Sequence, residues 1–238
     1  MTLCCAKQRF IHTLIYLFCI LILQTEVKCN TFNARITMNV QGTGFHRDLM
    51  YQIKFDHLME KCYVAIYLQL PAALYANVNE LMHLRRLGIN TACSSGETDV
   101  ELFTEKAQGQ NVTICKLLTD TGCNISLPVH QRYQYATDNN KYTNITLPKP
   151  KLLLGCKERI KEYRISKLDL CSPCDEIVSK WREIPYVMDM EDVWTTPVGE
   201  TNMLSVVNYV TLLLTVSCTV FLIRTIWKSV PKQHLKKE

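Results

Sequence analysis

No glycine-rich phosphate loop, no HExxH run and no Ser-His-Asp order occurs in this 238-residue chain. Their absence takes away the patterns by which nucleotide-binding, zinc-protease and serine-hydrolase chemistry is read from sequence. Internal repeats and low-complexity tracts are lacking as well. So is a basic surplus where a nucleic acid would need one. The formal net charge is +5, yet residues 30–202 carry 19 Lys and Arg against 20 Asp and Glu, a net of −1. The excess sits at the two ends, in Lys7, Arg9 and Lys28 and in Arg224, Lys228, Lys232, Lys236 and Lys237. Basic residues beside an apolar span mark its cytosolic side. The charge therefore reports topology, and no nucleic-acid surface is implied.

What the chain does have is two apolar runs. Met203–Ile223 holds 21 residues without a charged side chain and ends at Arg224. At 1.5 Å per residue such a helix crosses a hydrocarbon core of ~30 Å. Phe10–Leu23 is shorter and follows Lys7 and Arg9, the layout of a secretory signal peptide. The expected organisation is a signal peptide over 1–29, a non-cytosolic region over 30–202, a transmembrane helix over 203–223 and a basic cytosolic tail over 224–238. That is a single-pass type I arrangement. Cys62, Cys93, Cys115, Cys123, Cys156, Cys171 and Cys174 fall in the non-cytosolic region, joined by Cys29 if cleavage precedes it. Eight cysteines allow 105 pairings, and seven leave one thiol over. Three sequons in the same region make Asn111, Asn124 and Asn144 the expected N-glycosylation sites. Cysteines and sequons agree on an oxidising, glycosylating compartment.

Alternation of β-branched and aromatic residues predicts strands at Arg35–Val40, Leu49–Phe55, Asp99–Thr104, Val112–Leu118 and Ile125–Tyr135. Cys62–Leu70 is continuously apolar, as in a central strand buried on both faces, and stops at Pro71. Leu152–Leu154 reads as a late buried strand. Asn77–Leu87 reads as a helix, with an Asn cap, Glu80 early, Leu81, Leu84 and Leu87 on one face, and Gly88 at its end. After Cys156 Lys and Glu recur at helical spacing, and Tyr186–Asn202 is acidic and turn-prone. Many short strands need two layers to bury their faces. The fold class is thus a mainly β lumenal domain, sandwich-like with one short helix, over 30–158. A membrane-proximal segment over 159–202 leads to the transmembrane helix.

Few residues offer chemistry. Cys171-Ser172-Pro173-Cys174 lacks the βαβ context of a redox CxxC and reads as a candidate disulfide, Cys171 with Cys174. A zinc site there would need two more ligands, and no second CxxC or His pair is present. Asp189-Met190-Glu191-Asp192 is not a DxD and reads as a solvated acidic linker. His46-Arg47-Asp48 and His130-Gln131-Arg132 place His and Arg on strand faces, able to meet a lipid phosphate but more simply hydrogen-bonded within the fold. No catalytic residue, cofactor or metal is expected. In the span, Ser205, Asn208, Thr211, Thr215 and Thr219 share one face and form a candidate helix-packing surface. The end of the chain, His234 to Glu238, is similar to a dilysine retrieval signal shifted by one place.

Gly44-Phe45-His46-Arg47-Asp48-Leu49, Leu70-Pro71-Ala72-Ala73-Leu74-Tyr75 and Leu127-Pro128-Val129-His130-Gln131-Arg132-Tyr133 occur in this order. With Asn79-Glu80-Leu81 and Pro197-Val198-Gly199 they resemble the phosphatidylinositol-glycan biosynthesis class X (PIG-X) family. The resemblance implies an endoplasmic reticulum membrane glycoprotein without catalytic residues. It further implies a subunit of GPI mannosyltransferase I that binds and stabilises PIG-M, the multi-pass subunit adding the first mannose in GPI-anchor biosynthesis. A cell-surface receptor or adhesion glycoprotein is the alternative, and a tethered oxidoreductase would rest on Cys171 and Cys174 alone.

Overall fold

The computed structural model describes residues 33–57, 61–138, 141–158, 160–189 and 193–229. The expected signal peptide, Cys29, Met190 to Asp192 of the acidic run and the tail beyond Ser229 lie outside the described residues.

Two five-stranded sheets face each other. The first is built on a hairpin of β1 (Ala34–Gln41) and β2 (His46–Phe55), turned by Gly42 and Gly44 at φ of 92° and 75°. Side chains resist those values and glycine does not. β2 pairs antiparallel with β7 (Gly122–Gln131), β7 with the two-residue β4 (Leu74–Tyr75), and β11 (Tyr186–Asp189) runs parallel beside β1. The second sheet has the order β10 (Arg182–Glu183), β9 (Lys151–Cys156), β3 (Cys62–Leu70), β6 (Gln110–Leu117), β5 (Thr91–Gly96). A separate ribbon pairs β8 (Tyr142–Thr146) with β12 (Val193–Pro197). Ile36, Tyr51 and Ile53 of the first sheet bury against Val64, Ile66, Leu68, Ile114 and Leu154 of the second in one core. The fold is mainly β, as the alternation predicts.

β3 is buried on both faces, which accounts for its unbroken apolar run. Val64, Ile66 and Leu68 point into the main core, while Ala65 and Tyr67 meet Cys115, Leu153, Leu170, Cys174 and Trp181 in a smaller outer core. The chain after Cys156 supplies that outer layer. Helix α1 (Val78–Arg86) matches its predicted position: Asn77 Oδ1 accepts from Asn79 N at 2.9 Å, and Gly88 follows at φ 69°.

Three local readings are corrected. Asp99–Thr104 is turn and loop, because Glu97 and Asp99 carboxylates accept from the backbone N–H of Asp99 and Glu101 at 2.9 Å each and displace a ladder. Among the described residues no helix follows Cys156 at once; the first is α2 (Cys174–Ile177), and Ile165 and Ser166 bond instead to Arg182 and Trp181. Tyr186–Asn202 contains β11 and β12, whose Trp194 and Thr196 are buried between exposed Val193 and Thr195. Residues expected as a membrane-proximal segment thus add edge strands to both sheets.

Cys171 and Cys174 are not bonded to each other. The disulfides are Cys62–Cys156, Cys93–Cys171 and Cys115–Cys174. The reason lies in strand register: Cys93 stands opposite Thr113 and Cys115 opposite Thr91, so the β5–β6 pair presents two thiols on its outer face. The CxxC lies across them and gives one sulfur to each. Among the described residues Cys123 and Cys218 are free. Burial pushes the Cys123 thiol up to about 11, with Lys116 pulling the other way. Its raised value means the native state holds the proton longer than the unfolded chain, so this group's contribution to stability is full below the ordinary thiol range and fades as pH rises toward 11. Native protein at pH 8 should therefore label with iodoacetamide at Cys123 at least tenfold more slowly than denatured protein. Equal rates by peptide mass spectrometry would contradict the buried placement.

A 3₁₀ turn (Thr201–Met203) opens α3 (Leu204–Ser229), and together they form the one helix among the described residues long and apolar enough to cross a membrane.

Candidate functional site

The three runs that carry the resemblance meet in one place. Antiparallel pairing of β2 with β7 sets His46 directly opposite His130, and pairing of β4 with β7 sets Tyr75 beside His130. Cross-strand neighbours share a face, so the rings stack. His46 and His130 lie 4.3 Å apart at an interplanar angle of 13°, and Tyr75 lies 5.1 Å from His130 at 18°. The Arg132 guanidinium continues the column, 4.6 Å over the Tyr75 ring. Burial raises the Tyr75 hydroxyl above the ordinary phenol range, opposed by Arg132 and reinforced by Glu101, Glu80 and Tyr133, so this ring stays neutral.

Helix α1 adds the acid. Glu80 Oε2 is 2.8 Å from His130 Nε2, a hydrogen bond, and Glu80 Oε1 is 3.5 Å from His46 Nε2. The helix is held over the strands by Gln110, which is buried: its Oε1 accepts from Ala76 N at 2.7 Å and its Nε2 donates to Ala76 O at 3.1 Å. Both links fall just before the Asn77 cap and fix where Glu80 emerges. His46 is 53% exposed against 23% for His130, so the cluster is open on the His46 side.

Arg132 anchors the site below. It is 2% exposed, and its Nη1 donates to the carbonyls of Asp99 and Leu102. The loop after β5 therefore folds around this cation. Phe45 packs tilted against Tyr133 at 4.9 Å and Phe103 tilted against Tyr135 at 5.0 Å, leaving Tyr133, Phe103 and Tyr135 exposed as an aromatic rim. Arg47, next to His46, points elsewhere, its guanidinium 4.1 Å over Trp194. The His and Arg residues read from the strands are thus partly hydrogen-bonded within the fold, as the simpler reading expected. What sequence missed is the convergence of His46, Glu80 and His130, which lie on three separate elements. Their donor atoms all fall within 4.8 Å of one another, the donor set of a transition-metal site.

The other expected sites are dispersed. Asn124 and Asn144 are exposed on β7 and β8, and Asn111 is half-buried on β6. Ser205, Asn208, Thr211, Thr215 and Thr219 are all exposed along α3. Two of their hydroxyls bond their own helix, Thr215 to Thr211 O and Thr219 to Thr215 O, at 2.8 Å each.

Comparison with known proteins agrees with the motifs. The family model described as PIG-X / PBN1 matches residues 42–227, from the β1–β2 turn through most of α3. A human protein named GPI alpha-1,4-mannosyltransferase I, stabilizing subunit, is 30% identical over 209 residues, covering 81% of this chain and 80% of its own. Proteins of the same name from rat and mouse are 27% and 26% identical over 197 residues, with 78% of each chain covered. By a match that runs from the β1–β2 turn through the stacked histidines and into the long apolar helix, this chain belongs to the PIG-X / PBN1 family.

Proposed function

We propose that this chain is the non-catalytic stabilising subunit of a GPI mannosyltransferase I, acting in GPI-anchor biosynthesis. The observation that carries the reading is the likeness to three relatives named as that subunit, each covering about four-fifths of both chains. In this reading the β domain lies in the lumen of the endoplasmic reticulum, residues 203–223 cross its membrane, and residues 1–29 are removed as a signal peptide. Asn111, Asn124 and Asn144 carry N-glycans. The partner is a PIG-M-like multi-pass catalytic subunit that transfers the first mannose, a reaction whose lipid-linked donor needs a membrane cavity one helix cannot build.

The mechanism is linkage. A subunit that binds only the folded catalytic chain shifts that chain's folding equilibrium by RT ln(1 + [L]/Kd) and withholds it from degradation. The aromatic rim of Tyr133, Phe103 and Tyr135 gives the domain a contact surface for lumenal loops. Asn208 and the threonines of its face pack against a helix of the partner in the bilayer.

Cells lacking this chain are the test. The catalytic subunit should fall several-fold in steady-state amount and recover when the chain is re-expressed. An unchanged amount, with first-mannose transfer intact, would remove the proposal. Glycans on the re-expressed chain should stay sensitive to endoglycosidase H; mature glycans would place the chain at the cell surface instead.

A further inference from the structure

We propose that His46, Glu80 and His130 bind one divalent transition-metal ion of the zinc class. The three donors are of the types zinc takes, two imidazole nitrogens and a carboxylate, and three protein ligands with a water in the fourth position is a common open zinc site. Metal–ligand bonds of ~2.0–2.1 Å in a tetrahedron put neighbouring ligand atoms ~3.3 Å apart. His46 Nε2 and Glu80 Oε1 stand 3.5 Å apart, too far for a good hydrogen bond but close to that edge. His130 Nε2 and Glu80 Oε2, at 2.8 Å, are held by a proton that the ion replaces. The two imidazoles lie nearly parallel in a stack, so binding needs the rings to rotate out of it, by roughly 50° each, until both Nε2 lone pairs converge on the ion.

The surroundings favour the ion. His46 and His130 form a direct cross-strand pair, so the backbone already brings the two rings together and binding needs only side-chain rotation. Tyr75 stacks on the outer face of His130 and separates it from the Arg132 guanidinium, the nearest cation of the column. Exposure of His46 leaves an entry path and room for a water ligand. A bound ion would tie α1 to the β2–β7 seam, two elements joined here by the Glu80 contacts. The site does not depend on the role proposed for the subunit.

The test uses the full chain with its disulfides intact, purified in detergent through a tag without histidine. Zinc is titrated in competition with a chromogenic chelator. The wild type should take up one equivalent, and at a hundredfold excess over Kd its thermal midpoint should rise by about 5–10 °C. His46→Ala, His130→Ala and Glu80→Gln should each weaken uptake by tenfold or more. Glu80→Gln keeps the shape and should fold with an unchanged metal-free midpoint, which separates loss of binding from loss of fold. Uptake below one-fifth of an equivalent overturns the proposal. So does full uptake by the His46→Ala/His130→Ala double variant, which would assign the ion to other residues.

Discussion

Replacing Cys115 and Cys174 together by alanine is expected to destabilise the folded domain by about 3 kcal/mol. The two cysteines are 59 residues apart, and in the chain-entropy account a loop of that size alone is worth about 4 kcal/mol. The Cys93–Cys171 bond, spanning 78 residues, lowers the figure. Once it is closed, the path from Cys115 back to Cys93 and on from Cys171 to Cys174 is only roughly 25 residues, so the second bond restrains a shorter effective loop. Loss of packing adds to the effect, since the bond lies in the small outer core with Tyr67, Leu153, Leu170 and Trp181. Trp181 Nε1 also donates to Cys174 O at 3.0 Å. For a domain of this size the thermal midpoint should fall by about 6–12 °C. Non-reducing peptide mapping of the wild type should yield linked pairs Cys93–Cys171 and Cys115–Cys174. A Cys171–Cys174 peptide would refute the connectivity.

Arg132→Ala should be nearly as damaging, at about 3 kcal/mol, from two effects that add. Truncating a fully buried long side chain leaves a cavity, and the carbonyls of Asp99 and Leu102 lose their donor. An opposing effect is real but smaller. Arg132 Nε and Nη2 are buried without an acceptor among the described residues, so removing the ion also removes an incompletely paired charge. Arg132→Met, which keeps bulk against Tyr75, should therefore fall between wild type and alanine. Arg132→Lys should not restore stability, because a single ammonium neither stacks flat on the ring nor reaches both carbonyls as a planar fork does. Arg132→Ala should also expose the loop between Gly96 and Gln110 to protease, since among the described residues its other bonds to the segment after β7 are Thr104 N to Tyr133 O and Tyr135 N to Glu105 Oε1. Chemical denaturation of the purified chain measures the loss. A change under 1 kcal/mol would mean that the buried guanidinium contributes little.

Local pattern was enough wherever an element's stability is local. Asn77, Glu80 and Gly88 bracket α1 because capping and a positive φ act within one turn. The apolar run of Cys62–Leu70 revealed a strand buried on both faces because each of its faces has its own core. β12 was missed, because the neighbouring acidic residues made Tyr186–Asn202 look turn-prone and the order Val193, Trp194, Thr195, Thr196 does not alternate apolar with polar, although Trp194 and Thr196 are buried. Glu97 and Asp99 misled for the opposite reason. Their side chains compete with the backbone over two residues, a preference that strand alternation does not register.

By itself the sequence determined the class of the protein: a β-rich, cysteine-bearing domain, one membrane-length apolar helix, and the family that its ordered motifs resemble. Those follow from composition, period and run length, which act on neighbouring residues. Which cysteines pair, and that His46, Glu80 and His130 meet, only the tertiary structure decided. Each depends on strand order and register, here β2 against β7 and β5 against β6. Register is set by burial of whole sheets against each other across long stretches of chain, and a one-residue slip of β2, β5, β6 or β7 would turn its His46, Cys93, Cys115 or His130 to the other face.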